Sequence, residues 1–113
     1  MAKTLFEKII DRDIPATLVH EDAHCVAFRD INPGAPTHIL LVPRKPIPRL
    51  CDATTADQAL LGHLMLTANQ IAAAEGFGEA FRLVVNNGAE AGQSVFHLHL
   101  HILAGRPLTW PPG

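Results

Sequence analysis

The segment His97-Leu98-His99-Leu100-His101-Ile102-Leu103 constrains this chain more than any other. Imidazole and aliphatic side chains alternate along it, and alternation at period two is the pattern of an extended strand with unlike faces. A strand over residues 95–103 places His97, His99 and His101 on one face and Leu98, Leu100 and Ile102 on the other. The aliphatic face needs a core to dock into, so the segment belongs to a sheet. The imidazole face is hard to justify as packing, because clustered histidines usually serve metal binding or catalysis.

Geometry separates those two uses. Zinc takes nitrogen ligands at ~2.0–2.1 Å in a tetrahedral arrangement, whereas the first and last imidazoles of an extended strand stand about 13 Å apart. Three such rings do not close on one ion without ligands from elsewhere, and Cys25 and Cys51 match no metal-binding spacing. No metal and no cofactor is therefore assigned. Nucleophilic catalysis suits the pattern better. A neutral imidazole attacks well near neutral pH when a neighbour fixes its tautomer. His99 has a flanking imidazole on each side, which makes it the candidate nucleophile.

Just upstream, Gly88, Gly92, Gln93 and Ser94 form a loop rich in backbone and side-chain donors. Glycines let main-chain N–H groups come close to an anion, and phosphoryl transfer is largely positioning and charge stabilisation. Asn86 precedes that loop.

The remaining chain reads as an α+β fold. Thr4 and Glu7 form a capping box, and Leu5, Phe6, Ile9 and Ile10 give the following short helix an apolar face, with Pro15 as its terminator. Strands are predicted over residues 17–21, 25–30 and 37–43, the last two separated by the turn cluster Asn32-Pro33-Gly34-Ala35-Pro36. A second, long helix is predicted over residues 59–74, capped by a box at Thr55–Gln58 and closed by Gly76. Strands over residues 81–86 and 95–103 complete a mainly antiparallel five-stranded sheet.

Composition excludes several classes. The chain has 113 residues, 48% hydrophobic and 18% charged, which suits one packed domain over residues 1–113. A net charge of −2 with scattered Lys and Arg argues against a polymeric nucleic acid partner. No run approaches a membrane span and no signal sequence precedes the first helix, so a cytoplasmic protein with reduced cysteines is expected. His20, His24 and His63 have no motif around them and read as ordinary surface or part-buried residues.

The histidine-rich segment resembles the HxHxHxx signature (x apolar) of the histidine triad family. Further matches are Phe28-Arg29-Asp30-Ile31-Asn32-Pro33 with Ala35-Pro36-Thr37-His38, Leu61-Gly62-His63-Leu64, and Val85-Asn86 with Gly92-Gln93-Ser94. The terminal Trp110-Pro111-Pro112-Gly113 is similar to the Hint branch in particular, whose members are purine nucleoside phosphoramidases. The resemblance implies the family fold and hydrolysis of purine nucleoside 5′-phosphoramidates, such as adenosine phosphoramidate, or of aminoacyl adenylates, through a nucleotidyl-His99 intermediate. It further implies phosphate contacts from His101 and Gln93, support from His97 and His38, and Ser94 beside the leaving amine. Asp30 would hold the ribose, with Asn86 bridging sugar and phosphate and Gly92 in the phosphate loop. Leu5, Phe6, Ile9, Phe28, Ile31 and Leu40 would form the slot for the base. AMP would be the product, and the chain would form a homodimer whose C-terminal tail reaches the partner's site.

The chain departs from that pattern at Pro46, where many Hint proteins carry His, and at residues 106–109 ahead of Trp110, which leaves the leaving group open. Other readings compatible with the same residues are a nucleotide-binding regulatory or scaffold module, a zinc-binding protein, and a dinucleoside polyphosphate hydrolase.

Overall fold

The computed structural model describes residues 2–113. Helix α1 (Leu5–Ile10) starts at the Thr4–Glu7 capping box, with both reciprocal bonds formed. It ends well before Pro15. Arg12 takes a left-handed conformation at φ 63°, and the amides of Arg12 and Asp13 turn back to the carbonyls of Ile9 and Lys8. That double reversal, normally made by glycine, closes the helix from within.

Strands β1 (Leu18–Glu21), β2 (Cys25–Arg29), β3 (Thr37–Pro43), β4 (Arg82–Val84) and β5 (Leu100–Ala104) form one antiparallel sheet in the order β1-β2-β3-β5-β4. Helix α2 (Gln58–Ala74) crosses between β3 and β4. Its capping box lies one residue earlier than the sequence suggests, at Thr54 and Asp57, around a single 3-10 turn. Asp57 is buried there and pairs with Lys45 while its carboxylate accepts the Thr54 amide. At the other end Gly76 (φ 91°) and Phe77 donate to the carbonyls of Ala73 and Ala72, the double reversal that glycine makes without strain.

The sheet separates two apolar layers. Ile39 and Leu41 of β3, with Leu100 and Ile102 of β5, face Leu64, Ala68 and Ile71 of α2. Leu64, Thr67, Ala68, Ile71 and Ala72 recur at helical spacing, which is why α2 lies flat on that face. Leu40 and Val42, one residue out of step, face Phe6 and Ile9 of α1 on the opposite side. No helix among the described residues is long and apolar enough to cross a membrane.

The last strand is shorter than its alternation predicts. Pairing of β3 with β5 begins at Leu41 opposite Leu100. Continuing it toward residue 95 would bring Leu98 to Pro43, which has no N–H to donate. Instead the Leu98 amide donates to the Ile47 carbonyl at 2.7 Å, residues 95–97 bend, and no ladder forms before Leu100.

Gly105 closes the turn after β5 at φ 98°, where a Cβ would stand 2.9 Å from Cβ of Pro36. Gly105→Ala is therefore expected to cost about 2–3 kcal/mol and to lower the melting temperature by about 10 °C. Calorimetry on the two proteins checks this, and an unchanged Tm would refute the packing argument.

Candidate active site

The chemistry-bearing residues gather on the α1 side of the sheet. His38 on β3 pairs with Leu103 and His101 on β5 pairs with Leu40, so the two imidazoles are diagonal neighbours on one face and their rings meet across the ladder. His99 and His97 enter from the unpaired segment ahead of β5, and Phe6 of α1 packs edge-on against both, with centroids 4.9 and 6.3 Å away. The rings of His99 and His101 are 5.0 Å apart.

Hydrogen bonds assign the tautomers. Gly34 N–H donates to His38 Nδ1 at 2.9 Å, so the His38 proton sits on Nε2. That proton is shared with His101 Nδ1 at 2.9 Å, while Asp30 Oδ2 lies 3.4 Å away. With Nδ1 accepting, neutral His101 carries its own proton on Nε2. His99 Nδ1 donates to the main-chain carbonyl of His97 at 2.7 Å. The lone pair of His99 is therefore on Nε2, the nucleophilic arrangement.

His97 differs from the other two. Its ring is 1% exposed, Nε2 donates to the carbonyl of Pro43 at 2.7 Å, and Nδ1 is buried without a partner. A second proton there would be an uncompensated buried charge. The ring sits beneath Phe6, and the part of His97 that reaches His99 is its carbonyl.

Burial lowers the proton affinity of all three rings. For His97 and His99 desolvation is the largest cause, partly offset by their bonds to carbonyls. His101 falls furthest, to about 4, through desolvation and then the neighbouring His99 and His38, against the pull of Asp30. All three are neutral at pH 7.

These rings stand at the end of a cleft of about 310 Å³ between α1, the β2–β3 turn and residues 94–95. Leu5, Phe6, Ile9, Phe28 and Leu40 form its apolar wall, and Ile31, 91% exposed, stands at the rim. Asp30, Ser94, His99 and His101 supply its polar groups. Asp30 also accepts the Asn32 amide at 2.8 Å, so it both starts the turn and faces the cleft.

Asn86, Gly92 and Gln93 are not among the cleft walls, and neither are the rings of His38 and His97. Gln93 is buried and spends its carboxamide inside the loop. Its Oε1 accepts from Gly88 N–H, and its Nε2 donates to the carbonyls of Pro48 and Val95. Both N–H groups are used, so the side chain shapes the loop and has none left for a phosphate. Ile14, Pro15, Ala16 and Val95 line the cleft as well. The sequence offers no signal for the first three beyond the proline, which reads there as a helix terminator.

Another cluster lies on the α2 face. His20 and His63, without a motif in the sequence, both contact Asp22 of the β1–β2 turn. Both cysteines are free, Cys25 buried beside Asp22 and Cys51 exposed. Burial, then the Asp22 carboxylate, pushes the Cys25 thiol up to about 12.

Known proteins share this architecture. The chain is 64% identical over 110 residues to an uncharacterised HIT-like protein of Synechocystis sp., covering 97% of this chain and 96% of that one. It is 46% identical over 112 residues to a 14 kDa zinc-binding protein of Zea mays, covering 97% and 88%. Among solved structures, a HIT family hydrolase from Legionella pneumophila superposes with a TM-score of 0.96 at 48% identity, covering 98% of this chain and all of that one. A histidine triad protein from Clostridium difficile gives 0.91 at 42% identity, covering 96% and 97%. The HIT domain model matches residues 11–108, and on this evidence the chain belongs to the HIT domain family.

Proposed function

We propose that this protein is a phosphoramidase of the Hint type, which hydrolyses the P–N bond of purine nucleoside 5′-phosphoramidates or of aminoacyl-nucleotide analogues. The observation that carries the reading is the tautomer of His99, whose Nδ1 proton is held by the His97 carbonyl, leaving the Nε2 lone pair on a ring that walls the cleft. Likeness to the HIT family hydrolase of Legionella pneumophila supports a hydrolase in general terms.

In this reading the base enters the apolar wall and the ribose hydroxyls meet Asp30. His99 Nε2 attacks the α-phosphorus, the P–N bond breaks, and the amine leaves with a proton passed from Ser94 Oγ–H, which the water of the second step restores. His101 Nε2–H donates to a phosphate oxygen and gains strength as charge builds there. Water then attacks the same phosphorus, giving the nucleoside monophosphate and free His99. His38 is a positioning residue, because it fixes which nitrogen of His101 faces the substrate.

The reading includes a homodimer in which the tail reaches the partner's cleft. Trp110 is 81% exposed, and Met65 and Leu66 on α2 are also uncovered, which supports association through these surfaces. Sedimentation with wild type and Trp110→Ala tests it.

Mass spectrometry of protein quenched during turnover of an adenosine phosphoramidate tests the chemistry. An adduct of AMP on the peptide containing His99 is expected. Turnover with no adduct would refute covalent catalysis, and nucleotide binding with neither would leave a binding module.

A further inference from the structure

On the sheet face that carries α2, three side chains from three segments meet around the carboxylate of Asp22. Asp22 Oδ2 lies 2.8 Å from His20 Nε2, 2.9 Å from His63 Nε2 and 3.3 Å from Cys25 Sγ. Its other oxygen accepts the main-chain amides of His24 and Cys25 at 2.7 and 2.9 Å. The ligating atoms of His20, Asp22 and Cys25 all fall within 4.8 Å of one another. Cys25 is fully buried, whereas the side chains of His20, Asp22 and His63 keep between 26% and 37% of their exposure. The site thus has a dry floor and a mouth open to solvent.

Turn formation explains only half of this. An aspartate that starts a turn caps nearby amides with one oxygen, as Oδ1 does here. The second oxygen collects two imidazoles and a thiol, one imidazole from a helix 41 positions away. Two nitrogens, a thiol and a carboxylate form a borderline-soft donor set suited to zinc-class ions. In tetrahedral zinc the ligand atoms stand about 3.3–3.7 Å apart, given bonds of ~2.0–2.3 Å. The three contacts to Oδ2 are shorter than or near the low end of that range, while His63 lies outside the group of mutually close ligand atoms, so an ion would spread the ligands away from Oδ2 and draw the His63 ring inward by about 1 Å or more.

We propose that His20, Asp22, Cys25 and His63 form a binding site for a divalent ion of the zinc class, which clamps the β1–β2 turn onto α2. Bonds form from the two Nε2 atoms, Oδ2 and Sγ. The Cys25 thiol proton leaves to solvent, and the protons that His20 and His63 donate from Nε2 to Asp22 move through solvent to Nδ1, which frees both Nε2 lone pairs for the ion. Four protein ligands leave no open position, so the ion is structural. The site lies across the sheet from the nucleotide cleft and does not depend on the proposed hydrolysis.

Untagged, chelator-stripped protein is titrated with Co²⁺ and then with Zn²⁺. One ion per chain is expected, with visible bands of four-coordinate cobalt, a near-ultraviolet thiolate-to-cobalt band and a zinc-dependent rise in Tm. His20→Phe should weaken binding at least about 100-fold, Cys25→Ser should abolish the thiolate band, and His99→Ala should bind as wild type does. Absence of the thiolate band in wild type, or loss of the ion in His99→Ala, would overturn the assignment. So would unchanged affinity in His20→Phe. If Cys25→Ser fails to fold, the wild-type cobalt spectrum and His20→Phe decide the matter.

Discussion

His99→Ala is expected to lower kcat/KM for an adenosine phosphoramidate by about 10⁴-fold or more, while AMP still binds within a few-fold of wild type. The size follows from the role. Losing a nucleophile removes the reaction path itself, whereas losing a neighbour only disturbs it. A factor of 10⁴ corresponds to about 5.5 kcal/mol of transition-state stabilisation. His97→Gln makes the contrast, because the His97 carbonyl that holds His99 Nδ1 belongs to the main chain and survives the change. A loss of about 10- to 100-fold is expected there, as for residues that orient a reacting group. Steady-state kinetics and AMP titrations on both variants check the pair. Near-normal turnover by His99→Ala would remove the nucleophile assignment outright.

Much of the fold is legible in the sequence because its punctuation is local. The bounds of β3 follow from the turn cluster at residues 32–36 and the prolines from Pro43 onward, and α2 ends where Gly76 permits a left-handed turn. What is not legible depends on partners distant in the chain. The alternation from Val95 to Leu103 reads as one strand, yet its first half has no ladder because Pro43, more than 50 positions earlier, cannot donate. Arg12 replaces glycine in the reversal that ends α1, so composition gives no cue for it.

The same distinction holds at the site. Side-chain alternation is enough to bring His99 and His101 to one cleft. It does not foretell that the His97 ring turns inward under Phe6, or that Gln93 exhausts its amide on Gly88, Pro48 and Val95. Those outcomes depend on which carbonyls are left over once the sheet has formed. His20 and His63 are isolated along the sequence and meet only because α2 docks beside the β1–β2 turn.

Acid should destabilise the fold before it titrates most carboxylates. The ordinary imidazole value is 6.5, and His101 in the folded chain falls to about 4 through burial and the adjacent His99 and His38, with only Asp30 opposing. Between those two values the unfolded chain binds the proton and the folded chain does not. Stability therefore rises with pH across this window, is complete above about 6.5, and is lost as pH falls toward 4. His97 and His99 are lowered in the same direction and add to the slope. At about 1.4 kcal/mol per pH unit, His101 contributes about 2–3 kcal/mol of loss between pH 7 and 4.5. That is a large share of the 5–15 kcal/mol typical of a domain. The lowered carboxyls of Asp22, Asp52 and Asp57 act on stability only nearer and below their ordinary value, so the two regimes separate. Urea unfolding at pH 7 and pH 4.5 measures the difference, and His101→Gln should shrink it by about 2 kcal/mol. A wild-type stability that stays flat over this interval would mean the triad rings are solvated, and the neutral tautomers on which His99 depends would lose their physical basis.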